Sequence, residues 1–308
     1  MKIAFVFSGQ GAQYAGMGKD LYTHYDIVRS HFDAASKIHG SDLTNVMFTD
    51  ERLLKQTDYA QPAIFTLSTA ITKLLKTEGI TSDASCGLSL GEYSALYDAN
   101  VVDFETGLKI LMHRAEFMAE CANQIKGQML AMIGDYSAVK NLVETIDDLY
   151  IANYNGPNQI VVGGTISACD AALKNYKNFN IKRAMPLFTA GAFHTPLMQT
   201  AQTQFKAYLQ NITFIFPNKA LYLNTTASRA CSNIKEIMIE QMTQTVLFAP
   251  MIQKMIDEGI DTFIEIGPKD TLKRLIQKIN GSVQVMHIED VETFQNTVNQ
   301  IRGVIHAI

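Results

Sequence analysis

At 308 residues the chain is long enough to bury a sizeable core, as one big domain or as a large domain with a small one. Hydrophobic residues make up 47% and charged residues 18%, a balance that excludes a disordered chain. A net charge of -4 gives no electrostatic reason to expect a nucleic-acid partner, and no apolar run reaches the roughly 18 residues of a membrane span.

The chain starts with a short apolar run, residues 2–7, ending at Ser8-Gly9. It reads as a first buried strand and not as a signal peptide, so a cytosolic (cytoplasmic) protein is expected. The loop that follows, Ser8-Gly9-Gln10-Gly11-Ala12-Gln13-Tyr14-Ala15-Gly16-Met17-Gly18-Lys19-Asp20, invites a nucleotide reading. A dinucleotide fingerprint needs glycine where Tyr14 stands. A Walker loop needs glycine at Gln13 and Ser or Thr at Asp20. Both fail. The loop instead reads as one that brings backbone N–H groups close to another group, with Gln10 pinned between two glycines; a plain strand-to-helix turn is the alternative. Residues 20–37 have helical spacing, 42–47 and 51–56 read as short helices, and Thr57 to Pro62 opens a long helix over 63–76.

Residues 84–88 read as a buried strand and 92–99 as a helix with an acidic residue in its first turn. Between them, Gly87-Leu88-Ser89-Leu90-Gly91 fits the Gly-x-Ser-x-Gly pattern of a nucleophile elbow. Such a turn strains the serine backbone and brings neighbouring chain so close that only glycine fits two residues either side. The helix beyond aims its free N–H groups at the hydroxyl. Two glycines flanking a serine by chance is the competing reading in a chain with 19 glycines. A helix over 104–121 then carries His113, Arg114, Glu116 and Met118.

From Gly127 the texture changes. Strand 129–133, helix 137–146, strand 149–154, turn 155–158, strand 159–163, helix 167–176 and strand 182–187 give β-α-β-β-α-β, a ferredoxin-like pattern bounded by Gly127 and Gly191. It reads as a small domain inserted in a larger one. Helix 197–211, strand 220–224, helices 234–243 and 250–258, strand 262–266, helix 271–279, strand 283–287 and helix 291–305 complete the chain. Strands alternating with helices predict an α/β fold with a mostly parallel, helix-covered sheet.

Cys86, Cys121, Cys169 and Cys231 form no Cys-x-x-Cys pair, and the seven histidines show no zinc spacing, so reduced buried thiols and no metal are expected. A serine nucleophile needs a base. His24, His31 and His39 read as surface residues. His287 and His306 lie where an ordinary α/β-hydrolase places its base. His194, in Gly191-Ala192-Phe193-His194-Thr195-Pro196, sits in a loop of small residues able to present an imidazole at a domain junction.

Several blocks occur together and in order: Phe7 to Gln13, Thr57 to Ala63, Gly87 to Leu96, His113-Arg114-Ala115-Glu116-Phe117-Met118, Asn153 to Val161, Gly191 to His194 and Phe263-Ile264-Glu265-Ile266-Gly267-Pro268. Over nearly its whole length the chain resembles the malonyl-CoA:acyl carrier protein transacylases of type II fatty acid synthesis. It is also similar to the acyltransferase domains of polyketide and fatty acid synthases. The resemblance implies an α/β-hydrolase-like catalytic domain from residues 1–126 and 191–308, with a ferredoxin-like small domain at 127–190. It implies a ping-pong malonyl transfer in which coenzyme A and phosphopantetheine thioesters are substrates. No cofactor is implied, and the partners are malonyl-CoA and acyl carrier protein. Ser89 would be malonylated, His194 would be its base, and the N–H groups of Gln10 and Leu90 the oxyanion hole. Arg114 would grip the malonyl carboxylate, and Gln241 would orient the imidazole through its carbonyl. Met118 would stand at the substrate, and the Phe193 ring would crowd an α-methyl branch.

Three departures stand out. Leu88 replaces a common His, Lys269-Asp270 replaces Gly-Lys, and residues 243–248 differ from the usual run after Gln241. The competing enzyme is a serine esterase or thioesterase with the same elbow and His287 or His306 as base; a non-catalytic carrier-docking module is the second alternative. A basic patch is expected to meet the acidic carrier, with Lys182-Arg183 one candidate. Asn153 and Asn155 are expected either to hold the small domain's hairpin near the cleft or to serve the turn alone.

Overall fold

The computed structural model describes residues 1–305. Ten strands follow in chain order: β1 Ile3–Phe7, β2 Ala84–Gly87, β3 Gly127–Ile133, β4 Leu149–Gly156, β5 Gln159–Thr165, β6 Arg183–Pro186, β7 Ala220–Leu223, β8 Ser228–Arg229, β9 Thr262–Ile266 and β10 Gln284–Ile288. They form two sheets, which makes the molecule a mixed α/β protein. The larger has the order β10-β9-β1-β2-β7-β8. Its first five strands are mutually parallel, and only the two-residue β8 runs antiparallel. Every residue of β1 and β9 is buried. Strands covered by helices on both faces read as continuous apolar runs, which is how Ile3-Ala4-Phe5-Val6-Phe7 is written. The smaller sheet, order β4-β5-β3-β6, is antiparallel throughout and has its own core around Leu130, Met132, Leu142, Ile160 and Val162.

The small sheet is tied by backbone to the segment that precedes the helix Phe248–Asp257. Tyr154 N–H donates to Val246 O at 2.8 Å and Val246 N–H to Ala152 O at 2.9 Å. A parallel bridge thus forms between Asn153 and Val246. Thr245 Oγ1 adds a bond to Ile151 O at 2.6 Å.

Some boundaries differ from the sequence reading. Residues 20–37 are not one helix but parts of two, Lys19–His24 and Asp26–His39, because Tyr25 between them is extended at φ -124°. Its ring packs edge-on against Phe294 at 5.5 Å, and Arg29 Nη2 donates to the exposed Thr23 carbonyl. The long helix already begins at Thr57 and runs to Thr77, with Pro62 inside it. The turn after β4 is shorter than expected, since the strand continues to Gly156.

His31 is not a surface residue. It shares the buried face of its helix with Val28, Phe32 and Ala35, its Nε2 bonds Thr69 Oγ1 at 2.9 Å, and its ring lies 3.8 Å from that of Phe104. Burial pulls its pKa down to about 3, so it is neutral. His24 is exposed, as expected, and His39 is half-buried. Cys86, Cys121 and Cys169 are buried, but Cys231 is exposed, lying in the segment between edge strand β8 and the helix Ile234–Glu240. Among the described residues no helix is long and apolar enough to cross a membrane.

Candidate active site

Ser89 stands at the C-terminal end of β2, between that strand and the helix Gly91–Asp98. Its φ is 53°, the left-handed region that costs a side-chain-bearing residue energy. The flanking glycines are demanded by space. A Cβ on Gly87 would lie 2.1 Å from the Gly91 carbonyl carbon, and one on Gly91 would lie 2.2 Å from Phe7 O. The elbow is therefore pressed against β1, and Leu88 N–H donates to Phe7 O at 3.0 Å. Gly9 is held the same way, since a Cβ there would meet Leu88 O at 2.7 Å. This contact brings the Gln10 loop beside the serine.

The imidazole comes from the loop after the small sheet, where His194 also has a positive φ of 59°. Its Nδ1 lies 2.7 Å from the Gln241 backbone carbonyl, an acceptor only, so Nδ1 carries the proton. Nε2 is then free to accept from Ser89 Oγ at 2.7 Å. Burial, reinforced by the nearby Arg114 charge, pulls the His194 pKa down to about 3, so the ring is neutral and basic at Nε2. His287, by contrast, stands 3.7 Å from Glu289 and serves the β10 end of the sheet. His306 lies outside the described residues.

Arg114, on the helix Phe104–Gln124, is a large side chain held 99% out of water. Among the described residues no carboxylate pairs with it. Its Nη1 donates to Gln61 Oε1 at 2.8 Å and its Nη2 to Gln241 Oε1 at 2.8 Å and Ser89 Oγ at 3.3 Å. Its Nε is buried and unpartnered, and the guanidinium lies 5.4 Å from the centre of the Tyr93 ring. A buried cation held by neutral amides is short of counter-charge, and desolvation lowers its pKa.

Three residues that sequence reasoning left aside complete the frame. Asn224, just past β7, accepts from Ser89 N–H at 2.7 Å and donates to Gly87 O at 2.7 Å, clamping both sides of the elbow. Gln61 supports Arg114 and donates to Gln10 Oε1 at 3.4 Å and Met118 sulfur at 3.7 Å. Glu92, in the elbow helix, is fully buried; burial raises its pKa to about 8 against the pull of its hydrogen bonds. A single sequence signal was available: an acidic or amide residue inside an apolar pattern, at Gln61, Glu92 and Asn224, is costly unless partnered.

Ser89, His194 and Arg114 open onto a cleft of about 450 Å³ between the two sheets, while Gln61, Glu92, Asn224 and Gln241 lie behind its wall. Gln10, Ser89, Arg114, Met118, Phe193 and His194 all face it, as do Asn153 and Asn155 from β4. The Asn155 Oδ1 is buried without a partner. Leu90 is buried behind the serine. Lys55, Lys269 and the highly exposed Phe188 stand at the rim, whereas Lys182 and Arg183 are exposed elsewhere. Two of the three departures from the expected motifs fall here, Leu88 in the wall and Lys269 at the mouth; residues 243–248 do not line the cleft.

Comparison with known proteins follows the same lines. A family model described as the acyl transferase domain matches residues 4–306. A malonyl CoA-acyl carrier protein transacylase of Bacillus subtilis (strain 168) is 36% identical over 309 residues, 98% of each chain. The crystal structure of a malonyl CoA-acyl carrier protein transacylase from Clostridium perfringens superposes with a TM-score of 0.95 at 35% identity, covering 100% of this chain and 99% of that one. A malonyl-transacylase solved in complex with its type II polyketide synthase acyl-carrier protein gives 0.94 at 28% identity, covering 97% and 100%.

Proposed function

The chain belongs to the acyl transferase domain family, and from that premise we propose how its cleft moves a malonyl group from malonyl-CoA to the phosphopantetheine thiol of acyl carrier protein. The reaction is a ping-pong acyl transfer that supplies chain elongation in fatty acid (or polyketide) synthesis. The observation that carries the reading is the chain Ser89 Oγ to His194 Nε2, then Nδ1 to Gln241 O, each step 2.7 Å, with Arg114 3.3 Å from the same hydroxyl.

Ser89 Oγ attacks the thioester carbonyl carbon as its proton passes to His194 Nε2. Negative charge gathers on the carbonyl oxygen, toward the amides of Gln10 and Leu90. The carbon–sulfur bond breaks, and the imidazolium returns its proton to the departing coenzyme A sulfur. Malonyl-Ser89 remains, with its distal carboxylate on Arg114. The carrier thiol then gives its proton to Nε2 and attacks the ester carbonyl. The serine oxygen leaves and recovers that proton. No third carboxylate is needed, because the Gln241 carbonyl fixes the tautomer. Met118 and Phe193 bound the acyl pocket, and the Phe193 ring disfavours an α-methyl branch.

With this reading goes a division of the chain into an α/β-hydrolase-like catalytic unit, residues 1–126 and 191–308, and a ferredoxin-like unit, 127–190. The sheet order β6-β3-β5-β4 supports the second assignment. The protein is read as cytoplasmic, with Lys269 and Lys55, the latter paired to Glu51 at 3.0 Å, the rim lysines that an acidic carrier would meet. The test is intact-mass analysis after mixing with malonyl-CoA, followed by peptide mapping and addition of carrier protein in its thiol form. Malonyl mass on Ser89 that moves to the carrier is expected. Absence of that adduct, or its release only to water, would sink the assignment.

A further inference from the structure

We propose that Glu92 is a positioning residue for the reaction: it fixes which way the Gln241 amide faces, and thereby aims the Arg114 guanidinium at the acyl pocket. The proposal rests on the function given above and names a device beneath it. Glu92 touches no reacting atom. One carboxylate oxygen, Oε1, accepts from the backbone N–H of Asn224 at 2.5 Å. The other, Oε2, accepts from Gln241 Nε2. The same Nε2 donates to Ser89 O at 2.9 Å, which leaves Gln241 Oε1 facing Arg114 Nη2 at 2.8 Å.

An amide side chain has one accepting end and one donating end, and either rotamer occupies the same space. Three neighbours decide between them here. Ser89 O and Glu92 Oε2 both accept, so they demand the NH2 group. Arg114 only donates, so it demands the oxygen. Only one orientation satisfies all three. Burial makes the choice firm, because Glu92, Gln241 and Arg114 are each at most 1% exposed and no water competes. Glu92 also meets Arg114 only through this amide bridge, and not directly. An Arg114 held by amides keeps its charge available to a substrate carboxylate.

Glu92→Gln removes the second acceptor while keeping the shape. The Asn224 N–H is fixed in the backbone and takes the one remaining oxygen of the new side chain. Its NH2 then faces the Gln241 NH2. If Gln241 turns over to relieve this, its own NH2 faces Arg114. Either way a donor opposes a donor: if Gln241 turns, Arg114 loses its acceptor, and if it does not, the amide that aims Arg114 is pushed off its place, while the Asn224 clamp on the elbow persists.

The experiment measures kcat/KM for acylation of Ser89 in the full chain with malonyl-CoA and with acetyl-CoA, which lacks the distal carboxylate. Loss of one hydrogen bond to a buried charge predicts a fall of about tenfold or more in the malonyl-to-acetyl ratio for Glu92→Gln, with acetyl transfer held within a few-fold. An unchanged ratio, or an equal loss for both substrates, overturns the positioning role while leaving the function standing. No malonyl adduct in the parent protein overturns both. If Glu92→Gln fails to fold, Glu92→Asp carries the test: it keeps two acceptors but withdraws them by one methylene. A reduced ratio in that variant supports the role, and a ratio equal to the parent's overturns it.

Discussion

Replacing Arg114 by alanine separates recognition of the acyl group from its transfer. The guanidinium in the free site is bonded to Gln61 Oε1 and Gln241 Oε1 at 2.8 Å each, both neutral, and has no carboxylate partner. A malonyl carboxylate arriving there forms two charge-assisted bonds in a site closed to water. At ~1.5–3 kcal/mol for each bond to a charged group, the pair contributes ~3–6 kcal/mol. With about 1.36 kcal/mol per tenfold, that is a loss of ~10²–10⁴ in kcat/KM for malonyl-CoA. An acetyl group gains nothing from the cation and must leave it buried and unanswered. Acetyl transfer by Arg114→Ala should therefore hold steady or rise. The assay is stopped-flow release of coenzyme A with each thioester, checked by intact mass for the acyl-serine. A fall of the same factor for both thioesters would mean that Arg114 supports the fold of the elbow and not the substrate, and the argument would be wrong.

His194→Ala should abolish transfer, since it removes the imidazole bonded to Ser89 Oγ, while His287→Ala should retain most of it; the opposite outcome, read by the same coenzyme A release, would reinstate a hydrolase-type arrangement. His31 is a stability probe remote from the chemistry. Its pKa is about 3 in the folded chain against an ordinary value of 6.5, so between those limits the unfolded chain holds a proton that the folded chain lacks. Stability is then lost as pH falls through that window. His31→Gln should flatten the pH dependence of the unfolding free energy there by up to about 1.4 kcal/mol per pH unit, measured by urea titration from pH 6.5 downward. An unchanged slope would contradict a buried neutral imidazole.

The elbow was legible in the sequence because its constraints are local. Gly87, Ser89 and Gly91 are spaced by the turn itself, and the clashes that forbid a Cβ lie within the turn and against the adjoining β1. The small sheet was legible for the same reason: each strand alternates or runs apolar, and each connection is short. His194 was one of several candidate bases until the resemblance to a family singled it out, and Arg114 came from that resemblance, since no spacing links Ser89 to a histidine 105 positions away. Glu92, Asn224 and Gln61 were passed over. Their meaning lies in contacts across 132, 149 and 53 positions that no local pattern records. His31 is a different kind of miss. Its place beside Val28, Phe32 and Ala35 on one helical face was visible, but histidine was read by its usual exposure and not by its position.

The backbone ladder through Val246 has a mechanical consequence. Five residues before it lies Gln241, whose carbonyl holds the His194 imidazole. The strand that Val246 grips, β4, presents Asn153 and Asn155 to the substrate cleft. Wall and base thus hang from one short span of chain. The small sheet is a riveted panel and not a swinging door, because rotating it away would break main-chain bonds and drag the Gln241 segment with it. Cleft width and imidazole alignment are set together, so any ligand that wedges the cleft open also pulls on the geometry of proton transfer.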